Sequence, residues 1–419
     1  MSIWDFIGKD TNELTHGIHL YPAKLNPHVA RRLINQYGKN ATNMLDPFCG
    51  SGTTLVEGRL AGINVVGNDI NPTALEITRA KTQNYDYQDV EKLVREIKKS
   101  LPEMKLISLK KAIVIGGFTE EKIATWYTSR SVQEIASIFK MIDDLSSKLK
   151  SEVESKHLVK MTLSDCLRNV SVQRDAEWKL YRVEGWRKGL KDGSLYIPLM
   201  PLFRKKIESN LRSLKEYVEK LNISEKSSNS TYKIFKNDCS ISIAQLSKNN
   251  QKFDLIVTSP PYGDSPTTVA YEQFSWLPNM WLGLDDRPPG KLAKEMLGGK
   301  LSQEIKPFGH KVIDLAIKRM KNDEIAVKNY TFYKDYLNSI INVAKVVKPG
   351  GYVCYVVGNR NSGKQNMRLD LFTRWAFEQN GFTRVGNIKK RKVPNTRMPK
   401  SNPSGPTMNH EYIVICRKN

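Results

Sequence analysis

The chain has 419 residues, enough for a full α/β core and a second lobe when domains run to roughly 100–200 residues. Its 66 Lys+Arg against 43 Asp+Glu leave a formal net charge of +23, which favours a polyanionic partner such as nucleic acid, although solvated lysine faces are common. The scattered cysteines Cys49, Cys166, Cys239, Cys354 and Cys416 exclude a disulfide framework and a Cys-x-x-Cys metal site; with no signal-peptide pattern at the start and no run of roughly 18 apolar residues, a soluble cytoplasmic protein is expected.

In chain order, the first informative segment is HGIHLYPAKLNPHVARRLI, which holds His16 and His19 without further ligands nearby and is read as structural, with no metal. Buried parallel strands are expected where short apolar, β-branched runs are bounded by Gly, Asn, Asp and Pro: Asn43–Phe48, Asn64–Ile70, Tyr232–Asp238, Phe253–Ser259 and Tyr352–Gly358. Helices are expected over Thr53–Leu60, Asn71–Lys81 and Tyr333–Val347, giving the alternation of a doubly wound sheet. Near the end, Thr383–Val393 and Tyr412–Arg417 are expected to pair as an antiparallel hairpin at the sheet edge. Residues 88–229 interrupt this pattern with helical periodicity rich in Lys and Glu, closing on SEKSSNS, and are read as an inserted helical lobe; residues 1–87 and 230–419 make the α/β domain. A second irregular stretch runs from Gly263 to about Asn329.

LDPFCGSGTTLVEGRLAGINVVGNDINP carries the first chemistry. A strand ends in Asp46-Pro47-Phe48, turns through Gly50 and Gly52, and enters a helix; a second strand ends in Asp69. Glycines let the backbone approach a ligand, and an acid at the next strand tip can accept from both ribose hydroxyls, so nucleoside binding is expected. A dinucleotide is disfavoured because Leu55 stands at the third glycine of the Gly-x-Gly-x-x-Gly fingerprint.

The fourth strand runs into Ser259-Pro260-Pro261-Tyr262. An exocyclic amino group is a poor nucleophile because its lone pair is delocalised into the ring, and two acceptors can localise that pair. Ser259 offers one; a rigid diproline can hold a carbonyl as the other, and Tyr262 offers a flat ring for an extruded base. The alternative is an ordinary strand end with a Pro-Pro turn. GNRNSGKQ, from Gly358 to Gln365, nearly matches a phosphate loop, but Gln365 stands where a Ser or Thr would ligate magnesium, so a loop at the strand's carboxyl end is expected.

The glycine loop and the Ser-Pro-Pro-Tyr run together resemble the amino-methyltransferase family of restriction–modification systems, specific for cytosine N4 or adenine N6 in DNA, whose loop typically reads Asp-Pro-Phe-x-Gly-Ser-Gly-Thr. The resemblance implies a mostly parallel, seven-stranded Rossmann-like methyltransferase sheet with a helical insertion, and S-adenosylmethionine as cofactor. It implies that Asp46, Pro47, Phe48, Gly50, Ser51, Gly52 and Thr53 surround the methionine half, with Asp46 meeting its ammonium. Asp69 and Ile70 lie at the ribose, Asp238 near the adenine amino group, and Tyr21, Pro22 and Lys24 in a segment closing over the methionine. Asp238 can equally be a helix N-cap. The Ser259 side chain and the Pro260 carbonyl then take the two amino hydrogens, Pro261 stiffens the turn and Tyr262 stacks.

Serine at the first position usually accompanies cytosine, so N4 methylation of cytosine in double-stranded DNA is expected, with adenine N6 and the guanine amino group of structured RNA as alternatives and a cognate restriction endonuclease as a candidate companion. Carbon-5 methylation is disfavoured because no Pro-Cys occurs. For DNA reading, the insertion offers Arg168, Arg174, Arg182 and Arg187 among Trp126, Trp178 and Trp186, the alternative being tryptophans that anchor a helix bundle. The stretch after Tyr262 and the loop RKVPNTRMPKSNPSG, with Arg391, Lys392, Arg397 and Lys400, are rival surfaces.

Overall fold

The computed structural model describes residues 2–117, 122, 125–174, 178–264, 267–285, 287–393, 401–402, 405–406 and 408–419. Strands β1 (Asn43–Asp46), β2 (Asn64–Asp69), β3 (Tyr232–Lys236), β4 (Phe253–Thr258) and β5 (Val347–Gly358) are all parallel. Two short hairpins branch off: β6 (Arg360–Ser362) with β7 (Gln365–Met367), and β10 (Ser401–Asn402) with β11 (Gly405–Pro406). Strands β8 (Phe382–Arg384), β9 (Lys389–Lys392) and β12 (His410–Lys418) complete one eight-stranded sheet in the order β3-β2-β1-β4-β5-β12-β8, with β9 also on β12.

Two expectations are corrected. The sheet has eight strands rather than seven, because the run 383–393 is broken by Gly386, at φ +66°, into β8 and β9. The last strand is not at the edge: β12 pairs antiparallel with β5 on one side and with both β8 and β9 on the other. Its four consecutive buried residues, Ile413 to Cys416, fit an interior position covered on both faces.

Side-chain alternation divides the sheet's two faces. Leu255 and Val257 of β4 join Met44, Val65, Cys354 and Val356 in one core with Val29, Leu33 and Ile34 of helix α1 (Pro27–Tyr37) and Leu55 of α2 (Thr53–Leu60). Ile256 joins Leu45, Val353, Tyr355 and Val357 in the opposite core, against the helices Cys239–Lys248, Asp323–Val346 and Leu369–Glu378. The helix expected over 333–347 thus starts ten residues earlier, where Asn322 caps the Ile325 N–H.

Between β2 and β3, after α3 (Pro72–Thr82), the chain is helical, including α4 (Tyr87–Ser100), Ser129–Ser146, Glu152–Leu167 and Leu199–Leu221. The last of these buries Leu199, Phe203, Ile207, Asn210, Leu214, Tyr217 and Leu221, a three-to-four spacing that makes one continuous stripe. Asn210 is tolerated in that stripe because its amide donates to the Ile18 carbonyl at 3.0 Å and to Thr162 Oγ1 at 2.9 Å. The same core takes in Phe274, Leu277, Met280 and Trp281 of the Tyr271–Trp281 helix, so part of the stretch expected to be irregular is helical and packs into the insertion. Arg59, fully buried on α2, donates to the carbonyls of Thr82 and Ser230 and to Asn84 Oδ1, joining the residues where the chain leaves the sheet to those where it returns.

The Gly358–Gln365 segment turns tightly through Gly363 and Lys364, both at positive φ, and returns as the β6–β7 hairpin. Strand β7 comes directly after the turn, where a phosphate loop requires a helix N-terminus. No helix among the described residues is long and apolar enough to cross a membrane.

Candidate active site

The chain moves from β1 outward to β2 and β3, then returns to place β4 and β5 on the other side of β1. Ligands in open α/β sheets sit at the carboxyl ends of the strands flanking such a reversal. Here those ends are Asp46 and Thr258, and they are tied together: the Thr258 hydroxyl donates to Asp46 Oδ1 at 2.6 Å. The Phe48 N–H adds a bond at 3.0 Å and the Thr54 hydroxyl donates to the other carboxylate oxygen. Burial nonetheless outweighs these donors and pushes the Asp46 carboxyl up to about 6.

The glycine turn is stitched to the end of β2. Gly50 (φ +50°) donates to Asp69 Oδ2 at 2.9 Å, while the Asn71 N–H donates to the other oxygen at 2.8 Å. Burial raises Asp69 to about 6 against these bonds. Gly52 (φ +77°) caps α2, and a Cβ there would stand 2.8 Å from the Thr78 methyl group, so only glycine allows both the conformation and the approach. Leu55, which spoils the dinucleotide pattern, packs where a side chain on Gly67 would be, its Cδ2 2.8 Å from that Cβ position.

A cleft whose empty space, its open mouth included, is about 980 Å³ lies over these strand ends. It brings together Tyr21, Pro22, Lys24, Asp46, Phe48, Gly50, Ser51, Thr53, Asp69, Ile70 and Asp238 with Ser259 and Pro261. Pro47, Gly52, Pro260 and Tyr262 do not line it: Pro260 is buried, and Tyr262 is half-buried, its ring over Gly358. Asp238 lines the cavity and also caps the helix after β3, accepting from the Ser240 N–H at 2.8 Å. Lys24 is spent locally, its ammonium donating to the Thr11 and His16 carbonyls and to Asn12 Oδ1, and burial lowers it to about 8. It fixes the covering segment.

Tyr21 stacks on Tyr271 with ring centroids 5.9 Å apart, and its hydroxyl accepts from Asn71. His16 pairs with Glu57 at 2.8 Å, and His19 meets Ser164 and Asp165 of the Glu152–Leu167 helix, so both histidines anchor the segment. Sequence reasoning missed Asn68, Asn71, Tyr271, Met296 and Leu297, which also line the cavity. Asn71 carried a signal in Asp69-Ile-Asn-Pro, a strand tip turning into a helix; Met296 and Leu297 come from a distant segment with none.

The arginines of the insertion are largely engaged. Arg182 lies between the rings of Trp126 and Trp186, 4.0 and 4.5 Å from their centroids, and donates to the Thr125 carbonyl. Arg168 lies 4.6 Å over Phe274, donates to its carbonyl, and is lowered by burial to about 10. Arg174 and Arg187 are exposed, each beside one aromatic ring. Arg391 is corrected: the loop reading placed it on a flexible connection, but it lies in β9, 3% exposed, in an ion pair with Glu411. Arg397 and Lys400 lie outside the described residues.

A mostly parallel α/β sheet that carries a glycine turn and a Ser-Pro-Pro-Tyr strand end at one cavity has the layout of a group-transfer enzyme that uses a nucleoside cofactor. The profile of a family described as DNA methylase matches residues 1–80 and 253–419. The Type II methyltransferase M.MvaI of Kocuria varians is 30% identical over 443 aligned positions, covering 99% of this chain and 93% of that one. The Type II methyltransferase M.BsoBI of Geobacillus stearothermophilus is 23% identical over 91% of this chain and 81% of its own. A tRNA (guanine(10)-N2)-dimethyltransferase of Methanothermobacter thermautotrophicus is 43% identical over 72 residues, 17% of this chain and 21% of its own. The chain belongs to the DNA amino-methyltransferase family.

The family implies S-adenosylmethionine as methyl donor. The cavity suits it: Ser51 Oγ, Asn68 Oδ1 and Asn71 Oδ1 are buried without a hydrogen-bonding partner, and all three residues line the cavity.

Proposed function

We propose that the protein transfers a methyl group from S-adenosylmethionine to the 4-amino group of cytosine in double-stranded DNA. The observation that carries this reading is the shared cavity, in which Ser259 and Pro261 at the end of β4 face Asp46 and Asp69 at the ends of β1 and β2. A cofactor held by the glycine turn and a base held by Ser259 would meet there. The cofactor supplies an electrophilic methyl on a sulfonium. Ser51, with its unpartnered hydroxyl, and Asp46 hold the methionine end, Asp69 accepts from the ribose, and Asp238 lies toward the adenine.

Ser259 and the Pro260 carbonyl accept the two amino hydrogens, so the nitrogen lone pair leaves ring conjugation and points at the methyl carbon. With the cofactor bound, the N–C bond would form as the S–C bond breaks, its electron pair staying on sulfur, and the nitrogen would then lose a proton to solvent. A base would enter this cavity only after leaving the duplex, at a cost of a few kcal/mol; Tyr262, beside the cavity rather than in its lining, is proposed to offset part of that cost by stacking on its exposed part. Serine at 259, where adenine-specific relatives usually carry Asp or Asn, favours cytosine.

Residues 88–229 are proposed as a target-recognition lobe on the domain formed by 1–87 and 230–419. The family profile passes over 81–252, and Arg59 joins the two ends of the insertion. Exposed Arg174 is the favoured DNA contact there, with Arg168 and Arg182 supporting the surface from beneath. Arg397 and Lys400 are retained as contacts from the loop after β9.

Incubation with methyl-labelled cofactor and either duplex DNA or transfer RNA, followed by nucleoside analysis, tests the proposal. N4-methylcytosine from the duplex is expected. N6-methyladenine would reassign the base, and labelled guanosine from transfer RNA would overturn the DNA reading.

A further inference from the structure

Behind Ser259 runs a chain of polar groups that leads away from the cavity. The Ser259 hydroxyl lies 3.0 Å from the Tyr262 hydroxyl, which donates to Glu411 Oε1 at 3.0 Å. The other oxygen of Glu411 pairs with Arg391, whose Nε donates to the Trp4 carbonyl at 3.1 Å. Strand register sets this up. Gly358 of β5, Glu411 of β12 and Arg391 of β9 stand directly abreast, so Glu411 and Arg391 project from the same face. Gly358 presents nothing on that face, and a Cβ there would stand 2.5 Å from Tyr262 Cδ2. The missing side chain is what lets the tyrosine ring lie across β5 and reach Glu411.

Hydrogen-bond polarity follows from the donor inventory. An ionised carboxylate only accepts and a guanidinium only donates, whereas serine and tyrosine hydroxyls each carry a single proton. Paired with Arg391, Glu411 must take the Tyr262 proton. Burial and the nearby carboxylate push the Tyr262 phenol well above its ordinary range, so that proton stays in place. The Tyr262 oxygen is then left to accept from Ser259. The Ser259 proton points out of the cavity and its lone pairs point in.

We propose that Glu411 is a positioning residue of the transfer reaction: through Tyr262 it commits the Ser259 proton away from the substrate, so that Ser259 meets the amino group as an acceptor. This rests on the reading of Ser259 given above. Unconstrained, a serine hydroxyl rotates and donates as readily as it accepts; the relay removes the wrong half of its repertoire.

Glu411→Gln reverses the polarity. Arg391 can only donate and so takes the amide oxygen, which turns the amide nitrogen toward Tyr262. Tyr262 then donates to Ser259, and the Ser259 proton is driven into the cavity toward the amino hydrogens. Turnover at saturating DNA and cofactor is expected to fall about 100-fold. Tyr262→Phe merely frees the serine rotor and is expected to cost about tenfold.

The decisive measurement is the double variant, with cofactor affinity of every variant measured by calorimetry as a check of folding. If Glu411 acts through Tyr262, adding Tyr262→Phe to Glu411→Gln raises turnover to the Tyr262→Phe level. A double variant as slow as Glu411→Gln, or slower, overturns the proposal. Should Glu411→Gln not fold, Tyr262→Phe decides alone: unaltered turnover overturns the relay. Ser259→Ala separates the two readings. Full activity in that variant removes the acceptor role itself, whereas an inactive Ser259→Ala beside a fully active Glu411→Gln rejects the relay only.

Discussion

The polar groups of the strand-end cavity and two arginines of the helical insertion, Arg168 and Arg182, differ in how far they are already satisfied. At the cavity, Ser51, Asn68 and Asn71 keep buried acceptors or hydroxyls without partners, and two carboxylates are held at elevated pKa. In the insertion, Arg182 is sandwiched by two indoles and Arg168 is bonded to a carbonyl. Unsatisfied groups in a cavity await a ligand. An arginine with its faces and protons in use is holding the fold, and composition alone does not tell the two apart.

The largest effect that can break this contrast is at Ser259. Ser259→Ala is expected to lose about 100- to 1,000-fold in turnover while binding cofactor as before; a fall in both together, read by calorimetry and product formation, would show that the cavity is not divided as described. Asp69→Ala is next. It removes the carboxylate proposed to accept from the ribose hydroxyls and is expected to weaken cofactor binding about 10- to 100-fold.

The same carboxylate gives a pH signature. Asp69 and Asp46 rise from 3.8 to about 6 on burial, so both lose charge as pH falls through about 6, and cofactor affinity should drop steeply below it. Their effect on stability has the opposite sign. A raised folded-state pKa contributes stability that is present below about 4 and lost as pH rises through about 6, so these two groups favour the fold in acid where they no longer serve the ligand. Parallel cofactor titrations and thermal melts between about pH 4 and 8, with Asp69→Ala as control, check both signs.

Gly358→Ala should displace the Tyr262 ring and lower turnover about tenfold at unchanged cofactor affinity, the smaller effect expected of an indirect contact. The smallest effects sharpen the other side of the comparison. Arg182→Ala is expected to lower stability by about 1–2 kcal/mol through lost indole stacking, seen as a shift in urea midpoint. Arg174→Ala should leave the midpoint alone and reduce the salt slope of DNA binding by about one.

Much of the fold was legible because a doubly wound sheet writes itself locally: each apolar run had a single plausible period, and α2 falls at Thr53–Leu60 as its pattern requires. The candidate site was legible where chemistry is contiguous, in Asp46 to Thr53 and Ser259 to Tyr262. What stayed hidden depends on register. Nothing in HEYIVICRKN marks Glu411 as a neighbour of Tyr262; that follows from β12 lying between β5 and β9, a long-range pairing no local pattern encodes. Arg391 was misread for the same reason, since a basic residue beside a Pro-rich loop looks solvated until its strand is paired.

The most direct test joins both ligands in one molecule, an adenosine whose 5′ chain is linked to the N4 nitrogen of a cytosine nucleoside. Titrated by calorimetry, it should bind one per chain, compete with S-adenosylmethionine, and lose affinity in Asp69→Ala and in Ser259→Ala alike. Undiminished binding to either variant would place the two halves in separate sites and contradict the meeting of donor and base above β1 and β4.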